Sequence, residues 1–176
     1  MTASVPFVVC TWNRNSEPKN KKQKIADLGS FNYFIVPQGI PHPDNIRDHV
    51  DFIVCLKRHA TAAPVLFLEV KDDRHQDLAP QRLNADFQIR DQFGQMLACC
   101  PFPRLYGVSI LGTSMRLYRG NRATGVITPN LVSRPHNEQN LPRDFLGEAW
   151  DLDILSQGGL RAMQEAILHI THMSTH

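Results

Sequence analysis

The run Val65-Leu66-Phe67-Leu68-Glu69-Val70-Lys71 constrains this chain more than any other segment. Four apolar residues in succession, β-branched and aromatic among them, read as a buried strand. Glu69 and Lys71 stand two positions apart, so on a strand their side chains share one face. A carboxylate and an ammonium on so apolar a strand cost free energy unless they are paired or bound to a metal. Any fold built on this strand must cover it and give both charges partners.

The neighbouring segments supply that cover. Phe31–Val36 reads as a strand stopped by Pro37, and residues 37–45 as a turn-rich loop. Asp51–Leu56 is a second strand, with residues 57–63 as the hairpin loop leading to Val65–Lys71. Residues 81–98 switch to a helical period, with Leu83, Phe87, Phe93 and Leu97 on a stripe widened by Ile89 and Met96. Tyr106–Leu111 and Met115–Tyr118 read as strands joined at Gly112-Thr113, and Gly125–Thr128 as a further short one. Residues 129–143 read as loop, and about 158–172 as a helix with Leu160, Met163, Ile167 and Ile170 on one face. This order predicts an α/β fold, a mixed central β-sheet flanked by helices. A chain of 176 residues suits one domain, with its core at about 31–130.

The spacing of the two central strands predicts a site. A hairpin centred near residue 61 pairs residues whose numbers sum to about 122, which sets Asp51 opposite Lys71. A sum of 120 sets it opposite Glu69, and directly opposed residues share a face. A slip of one residue turns Asp51 to the other face unless a bulge restores it. Two carboxylates at one point repel unless a cation joins them. Few oxygen ligands suit Mg²⁺ (or Mn²⁺), which keeps waters and accepts phosphate oxygens. Such a metal lowers the pKa of a bound water, with Lys71 beside that water or stabilising charge on the phosphate. The competing reading is structural: Asp51 begins a strand, and Glu69 pairs with Lys71 at a sheet margin.

At these residues the chain resembles the PD-(D/E)XK nuclease-like superfamily. Asp51 leads a strand, seventeen residues intervene, and Glu69-Val70-Lys71 ends the next. A helix follows, with Gln88 where many members carry a glutamine, and then Leu105–Thr113 as the next strand. The segments LEVKDD, ADFQIR and YGVSILGT are similar to nuclease-like domains of fungal proteins. The resemblance covers roughly residues 44–120. It implies a restriction-endonuclease-like core, with Asp51 and Glu69 as metal ligands and Lys71 and Gln88 completing the catalytic set. Family members often carry a glutamate on a helix before the first strand; here only Glu17 stands upstream, in a lysine-rich stretch. A literal Pro43-Asp44 exists, but Asp51 directly precedes an apolar strand and Asp44 does not.

Other features qualify that reading. The net charge of +2 permits nucleic-acid binding without requiring it. Gln88, Arg90 and Arg82 lie on one predicted helix and are the candidate nucleic-acid contacts, with solvated charge as the alternative for the arginines. Gln81, Asn84, Gln88, Gln92 and Gln95 form a polar stripe on the same helix. Lys19, Lys21, Lys22 and Lys24 read as an exposed loop that could touch phosphates or act as an import signal. His169, His172 and His176 stand at helical spacing but lack a local carboxylate or cysteine to complete a zinc site. Cys10, Cys55, Cys99 and Cys100 form no CxxC pair and read as free thiols of a reducing compartment. No apolar run approaches the ~18–20 residues of a membrane span, and the first residues do not read as a secretory signal. There is no P-loop, nucleophile elbow or dinucleotide fingerprint. The expectation is an intracellular (cytoplasmic or nuclear) metal-dependent nuclease, compatible with a homodimer. Its alternative is a nuclease-like module that binds nucleic acid or protein without cutting.

Overall fold

The computed structural model describes residues 33–37, 52–58, 61–135 and 140–174, all within a compact unit spanning Asn32–His176. Residues 1–31, included in the single-domain expectation, lie outside the described residues, as does Cys10. The elements in chain order are β1 (Tyr33–Pro37), β2 (Phe52–Arg58), β3 (Thr61–Lys71), α1 (Ala79–Met96), β4 (Arg104–Leu111), β5 (Ser114–Asn121), β6 (Ile127–Thr128), β7 (Leu152–Asp153) and α2 (Gln157–Ser174). Short 3₁₀ turns at Asp73–His75 and Leu97–Cys99 follow β3 and α1.

The strands form one mixed sheet in the order β1-β2-β3-β4-β5-β6, with β7 on the same edge of β5 as β6. β1, β2 and β3 are an antiparallel meander, α1 carries the chain across to β4 parallel to β3, and β4–β5 is a hairpin. The α/β class and the mixed sheet with its two helices are therefore as the sequence predicts. A parallel pair needs such a crossover connection, which α1 supplies.

The β2–β3 hairpin differs from its expectation in an instructive way. Residues 57–58 and 61–63 belong to the strands rather than to a loop: the strands run on to Arg58 and from Thr61. Paired residue numbers sum to 119 from Arg58↔Thr61 to Cys55↔Pro64, then to 120 from Val54↔Leu66 to Phe52↔Leu68. Val65 is the extra residue of a bulge. Proline has no N–H for the ladder, so a bulge beside Pro64 is where the strand can accommodate it.

Two layers of side chains close on the sheet. On one face Phe67, Gly107 and Tyr118 form a row across β3, β4 and β5, and Phe93 of α1 meets Phe67 edge-on with centroids 4.9 Å apart. Gly107 and Gly120 are required there, because a Cβ at either would stand under 3 Å from the Phe93 ring. On the other face lie Tyr106, Val108 and Ile110, against which Ala166 and Ile170 of α2 are buried. Gly112, with φ +61°, opens the β4–β5 turn in the left-handed region that such a two-residue hairpin needs. Its N–H donates to the Lys71 carbonyl at 2.9 Å, tying the end of β3 to that turn.

The stripe on α1 also departs from its expectation. Phe87 is 44% exposed, while Arg82, Asp86 and Gln92 are buried beside Leu83, Ile89, Phe93 and Met96. The buried positions keep a helical period, but charged and polar residues occupy part of it.

Candidate active site

Glu69 and Lys71 end β3 on the face that α1 covers. Alternation along the strand puts them there: Phe67 packs on Phe93, so Glu69 and Lys71 follow on the same side. Glu69 is 4% exposed. Lys71 Nζ lies 2.8 Å from Glu69 Oε1, the lysine side chain being half-buried. The pair therefore sits where the apolar run predicts it, and each charge answers the other.

A polar row extends from Glu69 across the sheet. Ser109 of β4 is the partner of Glu69, and Arg116 of β5 is the partner of Ser109. At about 4.8 Å per strand step, Arg116 stands two steps, roughly 10 Å, from Glu69 along the row. Trp150 lies over this row. Its indole N–H donates to Ser109 Oγ at 3.2 Å, and the Arg116 guanidinium stands 5.5 Å from its ring centre. Trp150 packs with Ala85 and Leu111, Leu111 being the neighbour of Lys71 in the parallel ladder.

Behind the row is an ionic hub that the sequence reading missed. Asp86 of α1, 1% exposed, accepts from Arg116 Nη1 at 2.9 Å, Tyr118 hydroxyl at 2.8 Å and Arg90 Nε at 2.8 Å. Two guanidiniums and a hydroxyl on one carboxylate occupy both of its oxygens. Burial, seconded by the Asp86 charge, pushes the Tyr118 hydroxyl far above its ordinary pKa and keeps it a donor. The signal was present in the sequence: Asp86 falls in register with Leu83, Ile89 and Phe93, and Arg90 follows at i+4.

The predicted site residues fall as follows. Asp51 lies outside the described residues, as do Asp44, Glu17, the Lys19–Lys24 cluster and His176. Gln88 is half-buried on α1, two residues from Asp86. Arg82 is buried and Arg90 half-buried, and both bond to groups of the fold. Arg90 pairs with Asp86 and donates to the Pro129 carbonyl at 2.8 Å. Arg82, 4% exposed, donates to the carbonyls of Gln76, Arg143 and Phe145. The polar stripe is divided: Asn84 and Gln95 are exposed, Gln81 and Gln88 half-buried, and Gln92 buried. His169 bonds to Tyr106 rather than to His172. Among the described residues no three His, Cys, Asp or Glu side chains gather as a metal site. Cys55 and Cys100 are free and buried, as expected, but Cys99 is disulfide-bonded. No described helix is long and apolar enough to cross a membrane.

Compared with known proteins, the chain matches no family profile, no curated protein and no solved structure.

Proposed function

We propose that this chain is a metal-dependent nuclease of the PD-(D/E)XK type, hydrolysing phosphodiesters of nucleic acid. One observation carries the reading: a buried carboxylate and a half-buried lysine, two apart on the central strand, lie side by side at that strand's end. The order of elements supports it, because two hairpin strands, a crossover helix and a parallel strand succeed one another as the resemblance requires. So does the bulge, since the 120 register beyond Val54 is the one that the pairing of Asp51 with Glu69 calls for.

A hard cation is the group this reading calls for: Glu69 would offer carboxylate oxygens beside the buried wall of Trp150 over the Ser109–Arg116 row, and Asp51 would be the second ligand. Bound Mg²⁺ or Mn²⁺ supplies charge neutralisation on the phosphate and a nucleophile at neutral pH. Lys71, held at Glu69, exchanges that partner for the phosphate oxygen on which charge grows. The buried wall lowers the local dielectric and strengthens both interactions. Gln88 supports the site from α1, and the substrate is DNA or RNA.

A module that binds without cutting is the second reading. It is favoured by the ion pair itself, which neutralises Glu69 and Lys71 much as a purely structural sheet margin would.

Incubation of the purified chain with single- and double-stranded DNA and RNA, in Mg²⁺, Mn²⁺ or EDTA, separates the two. Metal-dependent cleavage lost in Glu69→Gln and Lys71→Ala, with folding intact, supports the nuclease. Absence of cleavage by folded wild type in every metal, or cleavage indifferent to both substitutions, overturns it.

A further inference from the structure

A second constellation lies on the opposite face of the sheet, toward the other end of β4. Tyr106 is the direct partner of Arg119 and Arg104 of Asn121, and Arg119 is also the partner of Thr128 on β6. Direct partners share a face, so Arg104, Tyr106, Arg119, Asn121 and Thr128 all project to one side. Ser109 is three residues from Tyr106, so this side is the one away from Glu69. Arg104 and Arg119 are diagonal neighbours, about 7 Å apart at the backbone. A groove of about 410 Å³ opens there, lined by Arg104, Arg119, Asn121, Thr124, Val126 and Thr128. That volume falls in the usual range for small-ligand sites, about 300–1,000 Å³.

The groove is a set of donors without a counter-charge. Arg74, Arg90 and Arg116 each pair with a carboxylate. Among the described residues neither Arg104 nor Arg119 does, and no carboxylate lines the groove. Two like charges on one sheet face with no carboxylate lining the groove favour an anion there. Arg104 is steadied from the side, its Nη1 lying 3.4 Å from His169 Nε2, while His169 Nδ1 is 2.7 Å from the Tyr106 hydroxyl. The Asn121 side-chain oxygen, Oδ1, accepts from the N–H groups of Ala123 and Thr124, which fixes the amide. Thr124 Oγ1 accepts from the Val126 N–H at 3.3 Å, leaving its O–H to donate.

We infer that the groove between Arg104 and Arg119 is a phosphate-binding site, taking a nucleotide's phosphate group or a phosphodiester of an oligonucleotide. Two guanidiniums lining one groove from adjacent strands match a tetrahedral anion that accepts from several directions. The inference is independent of the nuclease reading, because Glu69 and Lys71 lie on the other face.

Calorimetric titration of the whole chain in EDTA tests it, with inorganic phosphate, a nucleoside 5′-monophosphate, the unphosphorylated nucleoside and a short oligonucleotide as probes. The monophosphate or the oligonucleotide should bind, the nucleoside should not, and affinity should fall tenfold or more in Arg104→Ala and in Arg119→Ala. Binding of the monophosphate identifies a free nucleotide as the source; binding of the oligonucleotide alone identifies a nucleic-acid backbone. Both arginines are exposed, and Arg119→Ala leaves the His169 contact intact should Arg104→Ala disturb α2. Failure of every probe to bind, or binding unchanged in Arg119→Ala, overturns the proposal.

Discussion

Arg116 of β5 donates to Asp86 of α1 across 2.9 Å, so a carboxylate carried into the core by the helix is answered by a cation from the sheet. The same carboxylate takes Tyr118 and Arg90. This hub fixes the face of α1 against the strands that carry Glu69, Ser109 and Arg116. Removing one partner of a buried ion pair leaves the other uncompensated, at a cost of about 3–5 kcal/mol. Asp86→Ala should lose stability of that order in urea unfolding. Asp86→Asn removes the same charge and turns an NH2 donor toward the guanidiniums, so it should also destabilise; a loss under about 1 kcal/mol in Asp86→Ala would show that these pairs contribute little.

Arg82 fastens two loops to α1. Its guanidinium joins the carbonyl of Gln76, after β3, to those of Arg143 and Phe145. The second loop contains Leu146 at φ 58°, a left-handed conformation that costs a non-glycine residue about 1–2 kcal/mol. Arg82→Met keeps most of the apolar stem and removes the donors. Hydrogen exchange should then speed up in residues 143–150 before the sheet opens. Uniform acceleration through β3, β4 and β5 would count against a local clamp.

The close approach of α1 to the sheet depends on two glycines. A Cβ at Gly120 would stand 2.6 Å from Phe93 Cδ1, and one at Gly107 2.8 Å from Phe67 Cζ. Overpacking of this kind costs about 1–3 kcal/mol. Gly120→Ala should lower the melting temperature, and Phe93→Leu in the same chain should recover part of the loss. A double variant no better than the sum of the singles would place the strain elsewhere.

Burial pushes the Cys55 thiol from its ordinary value near 9 up to about 11, and raises Cys100 as well. The folded state holds the Cys55 proton more tightly than the unfolded chain. Its contribution to stability is therefore complete below about pH 9 and is lost as pH rises toward 11. At pH 8 alkylation followed by peptide mapping should leave both residues unmodified in the native protein and label both in denaturant. Labelling of Cys55 in the native state would contradict its burial.

Periodicity carried much of this architecture. The apolar run ending in Glu69-Val70-Lys71 identifies the central strand, and alternation alone puts Glu69 and Lys71 on one face. The switch to a helical period at residue 81 identifies the crossover, and a crossover implies the parallel β3–β4 pair. Such local features follow from backbone geometry, which repeats every two residues in a strand and every 3.6 in a helix. The tertiary structure decided the rest. The bulge at Val65 sets the register of the central hairpin, and it depends on where Pro64 falls opposite β2. The interior roles of Asp86, Arg82 and Arg90 depend on partners 30 or more residues away, such as Arg116, Phe145 and Pro129. In the sequence those residues look like a solvated helix face, because charge reads as exposure until folding brings its counter-charge or carbonyl within reach.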